Sequence, residues 1–359
     1  MIDYKPSDYE PEDEPHQGNM GSVQILKSKT GDHRVAEKQL KPFVLPAVLE
    51  NEAKKQSEIC SPFVVRIHSL DIGKMAIIME YCSEGLDEAL RETLLERHTW
   101  MELPRCLEVL CQIAHGLHVA HNAEIVHGDI KPANVRFGSD KFAKLSDFGA
   151  AKHLRIPEAI VAPGSSSYMA REILEGEEVT PETDWFSFGI LAFLVLSGQH
   201  PFYSPDRTCL TTPANYIRDL AFKVPELRNL RPDIPYSVGT LIHELLEREN
   251  KDRESTARRL RAVLSKFLSV PELTIAPLNL PSPSTKLMDE SWRLSRNLKD
   301  SYMNLGNLRP LSNSSLASWI PCLVHQILNS KHSWSPIAGA RRDSLNYCYA
   351  DMRNQKLPL

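Results

Sequence analysis

Two short motifs carry most of the information in this chain: His127-Gly-Asp-Ile-Lys-Pro-Ala-Asn134 and, thirteen residues after Asn134, Asp147-Phe-Gly149. An aspartate carboxylate can accept the proton of an attacking hydroxyl. Amide and carboxylate oxygens are the ligands that Mg²⁺ prefers. Either motif alone is compatible with a polar surface turn. Together, at this spacing, they argue against two unrelated turns: Asp129 suits the role of a base, and Asn134 and Asp147 suit the role of metal ligands.

The two motifs resemble those of the eukaryotic-type protein kinases, and further motifs over residues 16–270 follow the order of that family. The resemblance implies an α+β fold with two lobes, a small β-rich N-lobe over 16–82 and a larger helical C-lobe over 83–270. It also implies ATP and Mg²⁺ as cofactors and a protein substrate. Lys131 resembles the lysine that serine/threonine kinases place against the γ-phosphate, which adds it to the catalytic residues.

The N-lobe motifs imply how the nucleotide is held. Val35-Ala-Glu-Lys38 resembles the family's V-A-x-K, whose lysine holds the α- and β-phosphates. Glu52 occupies the position of its ion-pair partner, counting back from Ser61-Pro-Phe-Val-Val65. Ile77-Ile-Met-Glu-Tyr-Cys82 resembles the strand and hinge that grip adenine, with Met79 as gatekeeper. The implied ATP-binding residues are Gly18, Gly21, Val23, Ala36, Lys38, Glu52, Met79, Glu80 and Cys82.

The C-lobe motifs imply how a peptide is received. Gly164-Ser-Ser-Ser-Tyr-Met-Ala-Arg-Glu172 resembles the end of the family's activation segment, in which Ser165 keeps the hydroxyl used beside the base. Glu172 has a candidate ion-pair partner in Arg253. Asp184 stands where the family's aspartate supports the catalytic loop, and it could also cap the helix that begins there.

Four positions depart from the family pattern: His16, Gly128, Arg136 and Arg171. His16 replaces the first glycine of the phosphate loop, after a poor strand sequence that places carboxylates of 12–14 near a triphosphate. Gly128 replaces an arginine, which predicts a non-RD kinase that does not depend on pairing with a phosphorylated activation loop. Arg136 replaces an aliphatic residue beneath adenine and could stack on the base or obstruct it. Arg171 replaces a proline and affects loop packing.

These departures leave two alternatives open. In the first, the altered phosphate loop and Arg136 prevent productive ATP binding, and the chain is a pseudokinase scaffold. In the second, the chain is a small-molecule phosphotransferase, because His-x-Asp-x-x-x-x-Asn also resembles the catalytic loop of aminoglycoside and choline kinases. Asp147-Phe-Gly149 together with the segment 168–172 argues against the second alternative.

A narrower resemblance concerns the Cot and NF-kappa-B-inducing types of MAP kinase kinase kinase. The missing first glycine, together with a residue other than arginine before the catalytic Asp, is similar to the Cot type, and His-Gly-Asp is similar to the NF-kappa-B-inducing type. The stretches Leu241–Arg248 and Asp300–Leu308 also resemble the Cot type. This resemblance implies signal transduction in which the substrate is a serine or threonine of a downstream kinase.

Composition excludes several classes of protein. The 359 residues carry 42 basic and 46 acidic side chains, a net charge of −4 that argues against a nucleic-acid binder. The longest nearly apolar run, Phe186–Leu196, is about half of the ~20 residues that a membrane span needs. No secretion-signal pattern follows Met1, and the seven cysteines are scattered, which favours reduced thiols in the cytoplasm or nucleus and no zinc module.

Charge and composition also divide the chain. Residues 1–15 form an acidic segment, 271–286 a Pro-rich linker, and 287–359 a basic tail rich in Ser and Asn with no predicted fold. Residues 271–359 carry ten basic and six acidic side chains, whereas the rest sums to −8. The opposite charges suggest that the tail binds the kinase domain or a regulator.

Hydrophobic periodicity predicts the main elements. A charged helix is predicted near 47–58, an amphipathic helix after Pro104 with an apolar stripe that includes Leu117, and a helix buried on all sides over Thr183–Leu196. The predicted strands are Ser22–Leu26, Arg34–Leu40, Val64–Ile67 and Met75–Met79, and two late helices are predicted over Val238–Leu246 and Thr256–Phe267.

Overall fold

The computed structural model describes residues 4–17, 21–41, 46–96, 100–154, 166–202, 213–248 and 251–267. The predicted linker 271–286 and tail 287–359, and the segments with Gly18 and Ser165, lie outside these ranges. Within them the chain forms two lobes, as predicted: a sheet with one long helix, followed by a mostly helical part.

The N-lobe is a six-stranded antiparallel sheet in the order β1-β3-β4-β6-β5, with β2 also paired to β3. Its elements are β1 (Tyr9–Pro11), β2 (His16–Gln17), β3 (Gly21–Ser28), β4 (Arg34–Leu40), α1 (Pro46–Glu58), β5 (Ile67–Asp71) and β6 (Ala76–Glu80). Leu49 and Ala53 of α1 pack against Leu40 and Ile77 of the sheet. This contact sets α1 beside β4.

The sheet begins earlier than the sequence indicates. Tyr9–Pro11, assigned to an acidic segment outside the lobe, pairs with β3. The neighbouring carboxylates stabilise this edge: Glu12 binds Arg34 through two hydrogen bonds of 2.5 and 2.6 Å, and Asp13 accepts the Ile25 N–H at 2.9 Å. Arg34 lies four residues before Lys38 on β4, roughly 13 Å at strand rise. The prediction that the Glu12 carboxylate lies near the triphosphate is therefore wrong.

A second correction concerns the predicted strand Val64–Ile67. Phe63 and Val65 bond to Leu145 of the C-lobe, with Leu145 N–H to Phe63 O at 2.9 Å and Val65 N–H to Leu145 O at 2.8 Å. The sheet strand starts only at Ile67. The apolar residues before it connect the lobes instead of extending the sheet.

The C-lobe contains short strands on its cleft side and helices behind them. In chain order its elements are β7 (Cys82–Gly85), α2 (Leu86–Arg91), α3 (Leu103–Asn122), β8 (Ile125–Val126), β9 (Val135–Gly138), β10 (Ala143–Leu145), β11 (Lys152–His153), α4 (Arg171–Leu174), α5 (Pro181–Ser197), α6 (Pro213–Arg218), α7 (Leu227–Leu230), α8 (Tyr236–Leu246) and α9 (Arg253–Leu264). Short 3₁₀ turns cover Pro132–Asn134 and Phe148–Ala150.

Helix α5 is the buried central helix that the sequence predicts. Nearly all of its residues are buried, because apolar side chains surround it. Its N-cap is Thr180, whose N–H bonds to the Thr183 hydroxyl at 3.1 Å. Asp184 lies in the first turn and is not the cap, so that alternative for Asp184 is wrong. Across the described ranges, no helix is long and apolar enough to span a membrane.

Candidate active site

Four predicted nucleotide-binding residues share one face of the N-lobe sheet. Val23 pairs with Lys38 between β3 and β4, and Ala36 pairs with Met79 between β4 and β6. Residues directly opposite each other, and residues two apart on one strand, point to the same side of a sheet. The sheet register therefore places these four side chains on the face towards α1.

Lys38 lies between two carboxylates. Its Nζ is 2.6 Å from Glu52 Oε1 and 2.9 Å from Asp147 Oδ1, which confirms the predicted Lys38–Glu52 ion pair. Burial alone would lower the pKa of Lys38, but both carboxylates outweigh it and raise that pKa. Lys38 in turn lowers the pKa of Asp147, whereas burial raises the pKa of Glu52. A fixed ammonium thus faces the cleft beside an ionised Asp147.

The predicted base is held by its own loop. Lys131 Nζ lies 2.6 Å from Asp129 Oδ2, and the Asn134 amide donates to Asp129 O at 2.8 Å and to Oδ2 at 2.9 Å. The 3₁₀ turn that ends at Asn134 folds the loop back on itself and permits these contacts. The structure therefore brings the three predicted catalytic residues together.

Asp184, in the first turn of α5, holds the catalytic loop through hydrogen bonds to its backbone. Its carboxylate accepts the backbone N–H groups of His127 at 2.7 Å and Gly128 at 2.8 Å. His121 Nε2 lies 2.9 Å from the same carboxylate. Burial opposes the charge on His121, but Asp184 and Glu254 raise its pKa. Sequence reasoning missed His121, although it lies four residues after Leu117 on the apolar stripe of α3.

The predicted pair near the end of the activation segment is also present. Arg253 is 2% exposed, and its Nη1 lies 2.8 Å from Glu172 Oε1. The same guanidinium donates to the carbonyl oxygens of Leu245 at 3.0 Å and Glu247 at 3.1 Å. This ties α4, which carries Glu172, to the start of α9.

Comparison with known proteins agrees with this geometry. Residues 9–264 match the family model described as Protein kinase domain. The chain belongs to the protein kinase family.

This kinase is 28% identical to "Serine/threonine-protein kinases drp72" of Corynebacterium efficiens, over 64% of this chain and 44% of that protein. It is 27% identical to "Serine/threonine-protein kinases PknA" of Corynebacterium glutamicum, over 64% and 49%. It is 30% identical to "Tyrosine-protein kinase MasK" of Myxococcus xanthus, over 70% and 42%. The kinase spans less than half the length of these relatives.

Near the hinge of the kinase, the side chains of Glu80 and Arg136 contact residues of the C-lobe. Lys144 Nζ on β10 donates to the Glu80 side chain at 2.5 Å, and the Glu80 N–H donates to Arg66 O at 2.8 Å, so the carbonyl oxygen of Glu80 is the group that stays a predicted adenine contact. Cys82 is half-buried, and burial, with Glu80 nearby, raises the pKa of its thiol to about 12. Arg136 pairs with Gly85 between β9 and β7, and its Nη1 lies 4.0 Å from Glu88. The Arg136 guanidinium therefore lies beside Gly85 and the first turn of α2.

The phosphate loop of the kinase is described only in part. Gly21 begins β3, where a Cβ would lie 2.0 Å from the Gln39 carbonyl oxygen. A glycine is thus required at residue 21 by the sheet itself, whatever it does for phosphate. Gly18 and Ser165 lie outside the described residues, so their predicted roles stay predictions.

The residues predicted to hold Mg²⁺ have suitable chemistry. The Asn134 amide nitrogen bonds to Asp129, which leaves the amide oxygen as the atom of that side chain able to ligate a cation. Asp147 is ionised, because Lys38 lowers its pKa. One carboxylate and one amide oxygen suit Mg²⁺, which takes its remaining ligands from phosphates and water. The donor set therefore fits magnesium.

Gly128 has a backbone conformation that other residues avoid, with φ of +74°. A Cβ there would lie 2.9 Å from the Ala150 carbonyl oxygen. We expect Gly128→Ala to lower the free energy of unfolding by about 1–3 kcal/mol, because the side chain adds strain and a close contact. Gly31→Ala is the control, since a Cβ at Gly31 meets nothing within 4 Å. Equal urea midpoints for the two variants would contradict this expectation.

Proposed function

We propose that this kinase transfers the γ-phosphate of ATP to serine or threonine hydroxyls of a protein. One observation carries the proposal: the Lys38–Glu52–Asp147 network and the Asp129–Lys131–Asn134 group adjoin, because the N–H of Ser146, the residue before Asp147, donates to Asn134 O at 2.9 Å. Phosphoryl transfer depends mainly on positioning and on neutralising charge. These two groups supply both.

Each residue has a defined task in this proposal. Lys38, fixed by Glu52, binds and orients the α- and β-phosphates. Asp129 accepts the proton of the attacking hydroxyl, and Lys131 counters the charge near it. Asn134 and Asp147 would hold Mg²⁺, which neutralises charge on the β- and γ-phosphates when bound. Because Asp184 holds two N–H groups of the loop, the base stays in place while the substrate changes.

The choice of hydroxyl rests on Lys131, which lies two residues after the base and resembles the serine/threonine type. Two of the three relatives quoted above are named serine/threonine kinases, and one is named a tyrosine kinase. We propose serine and threonine as acceptors. Phosphoamino-acid analysis of a labelled protein substrate tests this, and phosphotyrosine as the main product would contradict it.

A narrower role follows from the resemblance to the Cot type. We propose a MAP kinase kinase kinase role in the cytoplasm, with a downstream kinase as the substrate and the basic tail 287–359 binding the kinase domain or a regulator. Phosphorylation of a recombinant MAP kinase kinase, compared with a generic basic protein, tests the substrate class. A rate no higher for the kinase substrate would contradict this role.

The decisive experiment combines binding and transfer in the full chain. Mg-ATP at 100 times its dissociation constant should add about 2.7 kcal/mol of stability. Labelled phosphate should then appear on a protein substrate only with magnesium present. Absence of both would favour the pseudokinase scaffold, and transfer only to an aminoglycoside or choline would favour the small-molecule phosphotransferase.

A further inference from the structure

Helix α1 buries two polar side chains that the proposed chemistry does not use. Lys55 is 7% exposed and Gln56 is 3% exposed, and they follow Glu52 by three and four residues on the same helix face. Burying an ammonium or an amide is costly unless it is hydrogen-bonded. Their positions therefore require specific partners.

Both side chains bind backbone carbonyl groups. Lys55 Nζ donates to Ala151 O at 2.5 Å, and Gln56 Nε2 donates to Val65 O at 2.6 Å. A carbonyl oxygen in a fixed backbone is a directional partner, so each bond restricts both the rotation and the translation of the helix.

The two carbonyl groups belong to backbone that flanks Asp147. Ala151 follows the 3₁₀ turn that begins directly after Asp147. Val65 is bonded through its own N–H to Leu145 O at 2.8 Å, two residues before Asp147. Helix α1 is thus linked to the chain on both sides of Asp147, one link being direct and the other passing through Val65.

The apolar face of α1 does not by itself fix the rotation of the helix about its axis. Leu49 and Ala53 pack against Leu40 and Ile77 through contacts that depend on buried area and not on direction. Such contacts tolerate small rotations of the helix, whereas the Glu52–Lys38 bond of 2.6 Å does not. The Lys55 and Gln56 bonds fix the rotation on the side of the helix that carries Glu52.

We propose that Lys55 and Gln56 are positioning residues for phosphoryl transfer, which hold Glu52 and Asp147 in the register that lets both carboxylates bind Lys38. This inference goes beyond the proposed function, and its kinetic test rests on that function. A second test, hydrogen exchange, does not depend on any activity.

The kinetic test compares matched variants of the full chain. Lys55→Met keeps the apolar stem and removes the donor, and Lys54→Met makes the same change at an exposed residue of the same helix. We expect Lys55→Met to lower kcat at least tenfold and Lys54→Met to leave it within twofold. Lys55→Arg, which keeps a donor, should recover part of the loss.

A double-mutant cycle with Glu52→Gln separates positioning from general destabilisation. If Lys55 acts through Glu52 and Asp147, Lys55→Met should lower kcat by a smaller factor in the Glu52→Gln background, where only Asp147 is left to misplace, than in the wild type. The same fold-reduction in both backgrounds would overturn the proposal, as would no reduction in the wild-type background. Gln56→Met gives the same cycle with a second variant should Lys55→Met fail to fold.

Hydrogen–deuterium exchange tests the positioning role of Lys55 even if the wild-type chain transfers no measurable phosphate. Lys55→Met should speed exchange both in α1 and in residues 145–151, because the linked segments loosen together. Lys54→Met should change neither. Faster exchange confined to α1, or unchanged exchange in both segments, would overturn the proposal whatever the activity of the wild type.

Discussion

Replacing Asp129 with asparagine is expected to lower the rate of phosphate transfer by about 10²–10⁴-fold, the usual contribution of a general base. Asparagine has nearly the same shape and keeps an oxygen towards Lys131, which lies 2.6 Å from the carboxylate. It cannot accept the substrate proton at neutral pH. The measurement is the single-turnover rate with labelled ATP and a protein substrate.

The control separates loss of chemistry from loss of binding. Asp32→Asn makes the same change at a side chain that is 97% exposed, and it should leave the rate unchanged. Mg-ATP should still stabilise Asp129→Asn, because Lys38, Glu52 and Asp147 remain. A rate equal to that of the wild type would remove Asp129 from the mechanism.

The second large effect concerns stability. We expect Arg253→Met to lower the free energy of unfolding by about 3–5 kcal/mol, the usual loss when one partner of a buried ion pair is removed. The change leaves the Glu172 carboxylate and the carbonyl oxygens of Leu245 and Glu247 without their donor. It also removes the guanidinium that lies 5.0 Å from the centre of the Phe186 ring.

Urea denaturation followed by circular dichroism measures this loss. Arg258→Met, an exposed position on the same helix, should change the free energy of unfolding by less than about 0.5 kcal/mol. Equal urea midpoints for Arg253→Met and Arg258→Met would show that the Glu172–Arg253 contact does not stabilise the fold.

The pairs predicted from sequence were those fixed by motif spacing. Glu52 follows from its distance to Ser61-Pro-Phe-Val-Val65, and Arg253 follows from Asn250-Lys-Asp-Arg253, which resembles the family's D-P-x-x-R; both form the expected contacts. The support of the catalytic loop by Asp184 was likewise expected. Spacing suffices in these cases because each partner lies on an element whose position the fold determines.

Contacts with a partner outside the recognised motifs could not be predicted in the same way. Tyr9–Pro11 looks like a poor strand, yet pairing with β3 and the Glu12–Arg34 contact stabilise it at the sheet edge. The hinge motif located Glu80, but the direction of its side chain depends on Lys144, 64 residues away. Lys55 was one of several charges on a helix until the fold placed Ala151 beside it.

The half-buried Cys82 of the hinge affects how this kinase would respond to covalent drugs. A cysteine attacks an acrylamide as its thiolate, and burial beside Glu80 raises the pKa of the Cys82 thiol well above neutral pH. A reactive group placed at the hinge would meet a thiol that alkylates slowly. Selective inhibitors of the proposed nucleotide site should therefore be designed to bind reversibly.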